Sequence, residues 1–262
     1  MKTVSLISSI HSYFQFGGSK LYLAWTTFWA LYFPVWLGLD WYWYSPKPAP
    51  KKYWIVFLTN LAFLVLCVMV VTEWVIAVYT QCINKDITKN TRATLPWYLK
   101  FDWVLNSLSN STCLVITVAY WVFLWRVYQL RSVNKHGINV IYTLLQVFIT
   151  SKPIRWQHFY IPVILNITYF IFSVILYAAD GHVLYAFLDW RKPARSVPLA
   201  LLYTFVLIPA FHFAMFGLYK LRLRIFRKKD TAYREQDAEE NPEEKPLNME
   251  CLNADQTSQD IV

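Results

Sequence analysis

Arg131 to Thr150, RSVNKHGINVIYTLLQVFIT, is the stretch whose reading decides the fold, because its apolar core from Ile138 to Thr150 is too short to cross a bilayer alone. At the helical rise those residues cover about 20 Å of a hydrocarbon core roughly 30 Å thick. If the segment spans, its polar start must enter the membrane. Read as a helix, it places His136, Asn139, Thr143, Gln146 and Thr150 at spacings of three and four, on one face. A polar stripe at bilayer depth must face other helices or a water-filled cavity, since lipid offers no hydrogen-bond partner. Two readings stand at this point: the stripe glues helices together, or it lines a site.

The composition agrees with a membrane chain. Of 262 residues, 56% are hydrophobic and 19% aromatic, with apolar runs of bilayer length, so the class is all-α, a polytopic helical bundle, and soluble enzyme folds are set aside. The net charge of +9 is uneven, for residues 230–262 hold ten acids against Arg234 and Lys245. The basic remainder sits in loops and helix ends, where it meets lipid headgroups, so no nucleic acid partner is expected. Four cysteines without a metal-ligand or disulfide spacing predict no metal site, and no cofactor is expected.

Six transmembrane helices follow from the apolar runs: Leu21 to Leu39, Trp54 to Tyr79, Trp103 to Leu124, Ser132 to Thr150, Trp156 to Ala179 and Val197 to Tyr219. The N-terminus, the second and fourth loops and the start of the tail carry 14 Lys and Arg, against 9 in the other loops, which predicts cytosolic termini. Residues 1–220 then form the transmembrane domain. Residues 221–262 form a cytosolic tail, basic where it leaves the membrane and, after Asp230, acidic and disordered.

The third span carries Asn106, Asn110, Cys113, Thr117 and Tyr120 on one face, so two successive helices each present a polar stripe that can satisfy the other. The second opens with Thr59 and Asn60 inside its outer end and holds Glu73 near the other, where the acid either serves a function or reaches headgroups. Gly181 is placed to end the fifth span in a left-handed turn. In the sixth, Pro209 predicts a kink, and His212 is read as hydrogen-bonding a neighbour. The terminal Asp260, Ile261 and Val262 form a short candidate motif for a PDZ-type groove.

Several segments together resemble one family: YWIVFLTN, LSNSTCLVITVAYWVFLW, HGINVIYTLLQVFITSKPIRWQHFYIPV and LYAADGHVLYAFLDWRKP, in that order and spacing. They look like the rolling stone family of multipass membrane proteins, associated with myoblast fusion, over roughly Leu21 to Lys220. That family is more distantly similar to the androgen-induced membrane hydrolases, six-helix enzymes that cleave fatty acid esters of hydroxy fatty acids with a threonine and a histidine. The resemblance puts the threonine at Thr59, in Phe57-Leu58-Thr59. The hydrolases' histidine is the second of a His-Gly-Met-His, which here reads His136-Gly137-Ile138-Asn139. Asn139 cannot take a proton near neutral pH, so a hydrolase would have to use His136, one turn away.

The sequence therefore predicts a rolling-stone-like integral membrane protein, at the plasma membrane rather than the endoplasmic reticulum, acting in cell fusion, adhesion or a similar surface process. Its expected polar pocket near the outer face is lined by Asn60, Asn110, Asn139, Thr143, Gln146 and His182, with membrane lipids as partners. The alternative is a lipid ester hydrolase with Thr59 and His136 as catalytic candidates. A transporter or channel would also use polar stripes, but the sequence shows no inverted repeat and little intramembrane charge beyond Glu73.

Overall fold

A computed structural model of the chain describes residues 18–44, 53–83, 96–123, 130–150 and 152–240. The described residues are helical and connecting segments, with no strand among them; one isolated bridge joins Tyr185 and Leu188. The chain divides into two compact units, Met1–Tyr219 and Lys220–Val262.

Helix α1 spans Gly18–Trp43, α2 Leu58–Val78 and α3 Trp97–Phe123. A short helical turn, Leu130–Val133, and a π turn, Asn134–Ile138, run into α4, Asn139–Ile149. Helix α5, Tyr160–Asp180, starts from a 3-10 turn at Trp156–Phe159. Helix α6, Pro193–Leu202, continues through the π turn Tyr203–Leu207 into α7, Ile208–Glu240. Three helical stretches are long and apolar enough to cross a membrane: Leu58–Ile83, Trp156–Asp180 and Pro193–Ile225. The α4 stretch is not among them; its short apolar run after Ile138 is preceded by the π turn that holds His136.

Local chemistry sets the helix ends. Gly181 takes φ 70°, open to a residue without a Cβ, and its N–H reaches Tyr177 O to close α5. Pro193 occupies the first turn of α6, where its missing N–H costs nothing. Pro209 lacks the donor an α-helix needs, and the turn before it opens into π geometry. The helix then runs to Glu240, ten residues beyond Asp230, where the composition predicts disorder. Ala, Glu, Gln and Arg in that segment have good helix propensity, which the acidic, aromatic-poor composition conceals.

In the first unit α2 packs between α1 and α3, and α3 also packs on α4 and α5. An aromatic core forms where Trp29 and Phe33 of α1 meet Phe63 of α2 and Tyr142 of α4, with Phe33 5.3 Å from Tyr142 and 5.8 Å from Phe63. The outward faces are apolar as well. Leu31, Val75, Ile175 and Phe205 are each more than half exposed, as side chains that meet lipid should be.

Candidate functional site

The N-terminus of α2 is built in an unusual way. Phe57 provides no side-chain cap, and the hydroxyl of Tyr169 on α5 does the work: it accepts the Leu58 N–H at 3.1 Å and donates to Val56 O at 3.0 Å. This fixes Thr59 at the wall of a cavity of about 80 Å³, open at one side. Ile116, Ala119 and Tyr120 of α3, Phe170 of α5 and Leu202 of α6 form much of its wall. The loop after α5 contributes Tyr185, Phe187 and Leu188. The Tyr185 hydroxyl bonds to the side chains of Tyr169 and Thr59, and burial raises its pKa, so the phenol stays neutral. The site is an apolar chamber with three hydroxyls gathered at one wall. That arrangement suits a chain-like apolar ligand carrying one polar group.

The other predicted site residues do not line this cavity. His136 is buried and stacks on Tyr120 with ring centroids 3.9 Å apart, so the ring that borders the cavity also contacts the histidine. Asn60 donates to Trp54 O at 2.7 Å and accepts from Lys135. His182 stacks on Tyr53 at 4.2 Å, in the loop after α5. Asn110, Asn139 and Thr143 are buried along α3 and α4. Gln146 lies at a separate ionic cluster, where its Nε2 donates to both oxygens of Glu73 at 2.7 and 2.6 Å.

Glu73 is buried deep in the first unit. Tyr22 of α1 donates to it at 2.6 Å, Tyr142 of α4 at 3.3 Å, and Lys152 lies 3.3 Å away. Lys152 also pairs with Asp102 at 2.8 Å, and both are buried. A second ion pair joins Asp40, at the end of α1, to Lys135, and Trp54 Nε1 donates to the same carboxylate at 2.7 Å. His212 contacts Ser111 at 3.0 Å and Arg155 O at 2.9 Å.

Sequence reading counts Lys135 and Lys152 as loop charges and assigns no role to Asp40, Asp102, Tyr169 or Tyr185. The available signal is opposite charges at neighbouring span ends, Asp40 with Lys135 at one end of the helices and Asp102 with Lys152 at the other. Nothing local in sequence marks Tyr169 as a cap for a helix 111 residues away. Among the described residues, no three His, Cys, Asp or Glu lie close enough together to hold a metal ion.

An all-helical bundle with bilayer-length apolar helices, an apolar exterior and polar groups turned inward defines an integral membrane protein. Comparison with known proteins narrows the class. The sequence model of the family described as Protein rolling stone matches residues 11–235. Protein rolling stone of Drosophila melanogaster is 29% identical to this chain over 231 residues, which cover 80% of each protein. No solved structure matches. The chain belongs to the rolling stone family.

Proposed function

We propose that this is a six-span protein of the plasma membrane, with both termini in the cytosol, that acts in cell fusion, adhesion or a similar surface process by holding a lipid chain in its outer-facing cavity. The observation that carries the reading is the cavity itself, with its apolar walls and the hydroxyls of Thr59, Tyr169 and Tyr185 at one side. An acyl chain matches the walls, and an ester or hydroxyl matches the polar end. The short connection from Gly181 to Lys192 offers little surface for adhesion in trans, so the protein acts through lipid or through partners within its own membrane. Cells expressing the wild-type chain and cells expressing Ala119→Trp, which fills the cavity, test this in a content-mixing assay. The reading expects mixing to fall with the filled cavity, and equal mixing by both chains at equal surface expression would contradict it.

Hydrolysis of the bound lipid is the second reading, favoured by the position of Thr59 on the cavity wall. Against it stands the lining, which brings no imidazole or carboxylate to Thr59 and leaves His136 in contact with Tyr120 instead. Turnover of a fatty acid ester of a hydroxy fatty acid by purified protein, abolished in both Thr59→Ala and His136→Ala, would establish the enzyme.

A further inference from the structure

The polar faces of α3 and α4 meet in a fixed register. Tyr120, late in α3, stacks on His136, just before α4, while Cys113, earlier in α3, packs in one core cluster with Tyr142, later in α4. The two segments are therefore antiparallel. Helical spacing between those contacts sets Thr117 opposite Asn139, and one step further sets Asn110 opposite Gln146. The seam continues from Gln146 to Glu73, then through Lys152 to Asp102. From His136 to Ile149, where α4 ends, it covers about 20 Å at the helical rise, much of a hydrocarbon core.

The seam does not satisfy itself. His136 Nδ1, Asn139 Oδ1, Thr117 Oγ1 and Asn110 Oδ1 meet no protein hydrogen-bond partner, and all four residues are at least nine-tenths buried. Buried polar atoms of this kind are ordinarily satisfied by ordered water. The π turn Asn134–Ile138 sits at one end, a local geometry that recurs at functional sites. The structure also changes the weight of one sequence argument. Intramembrane charge looks scarce in the sequence, yet Asp102 and Lys152 are drawn in beside Glu73.

We propose that the α3–α4 seam is a proton path joining His136, beside the cavity wall, to the Glu73–Lys152–Asp102 cluster. Each step passes one proton between neighbouring waters, hydroxyls, the imidazole and carboxylate oxygens, with the amides of Asn110, Asn139 and Gln146 only orienting the row, and leaves every heavy-atom bond intact. The proton's own gradient drives it, so no oxidant or cofactor enters. The groups facing the two termini are fixed: Tyr22 of α1, Tyr142 and Gln146 of α4 and Lys152 around Glu73, and Tyr120 of α3 against His136, whose neighbour Lys135 is held by Asp40. The path rests on the reading that α3 and α4 cross the bilayer.

The test uses the full chain in vesicles that trap a pH-sensitive dye, with a potassium gradient and valinomycin setting the potential. Wild type is compared with Thr117→Val, which keeps the side-chain shape, with Glu73→Gln, and with Thr168→Val, a control on α5 whose hydroxyl bonds back to Ile164 O. Each is checked for monodisperse elution and helical circular dichroism. The proposal expects proton flux with wild type and the control, and loss to the level of protein-free vesicles in a folded Thr117→Val or Glu73→Gln. It is overturned if wild type gives no flux, if both folded variants keep it, or if a sodium gradient drives current without proton flux. Labelling of Ser132→Cys and Ser151→Cys with an impermeant reagent in intact cells tests the crossing separately. Reaction at only one site supports it, and equal reaction removes the crossing and the path with it.

Discussion

At the scale of single residues, Tyr169 is the position on which most depends for its size. Its hydroxyl accepts the Leu58 N–H that opens α2 and donates to the Val56 carbonyl just before the helix, and it stands beside Thr59 at the cavity wall. Tyr169→Phe should lower stability by about 1 kcal/mol, the usual cost of a lost cap, measured as an earlier midpoint in denaturant. A larger loss without a change at the cavity would assign the residue to packing alone. In the exposed loop, hydrogen bonds from Arg191 hold the Asp189 carboxyl below its ordinary range. A depressed carboxylate contributes stability above its unfolded pKa and loses it as pH falls through the folded one. The Asp189 titration midpoint should therefore lie below that of an ordinary aspartate and return towards it in Arg191→Gln, as read by NMR.

At the scale of helices, the ion pairs tie together segments distant in sequence. Lys152 lies between Glu73 of α2 and Asp102 of α3, so removing its charge leaves two buried carboxylates without their cation. Lys152→Met should cost about 3–5 kcal/mol in a denaturation series, and adding Glu73→Gln and Asp102→Asn should restore part of it. Helix positions were legible beforehand because apolar length, aromatic ends and the prolines act locally. The apolar runs predict a helix where each is found, within a few residues at most ends, and Gly181 closes α5 in the left-handed turn its lack of a Cβ permits. Pairing was not legible, because Lys135 and Lys152 read as headgroup charges until the fold brings Asp40 and Asp102 to them. The polar stripes of α3 and α4 were readable as faces, whereas the separation of Thr59 from His136 by Tyr120 depends on how three elements pack.

At the scale of the whole molecule, crossing number and orientation decide which side the cavity opens towards. On the proposed orientation, Cys82 faces the cytosol and the loop after α5 faces outside. In a Cys251→Ser background, an impermeant thiol reagent on intact cells should label His182→Cys and leave Cys82 unmodified until the membrane is permeabilised. Labelling of Cys82 alone would invert the bundle. The central claim, that the cavity holds a lipid chain, is met most squarely by photo-crosslinking. A phospholipid with a diazirine in its acyl chain is incorporated with the protein into vesicles, irradiated, and the adducts are mapped by mass spectrometry. The account predicts adducts on Leu58, Ile116, Phe170 and Leu202, lost in Ala119→Trp. Adducts confined to outward residues such as Leu31, Val75 and Ile175, unchanged by that substitution, would contradict it.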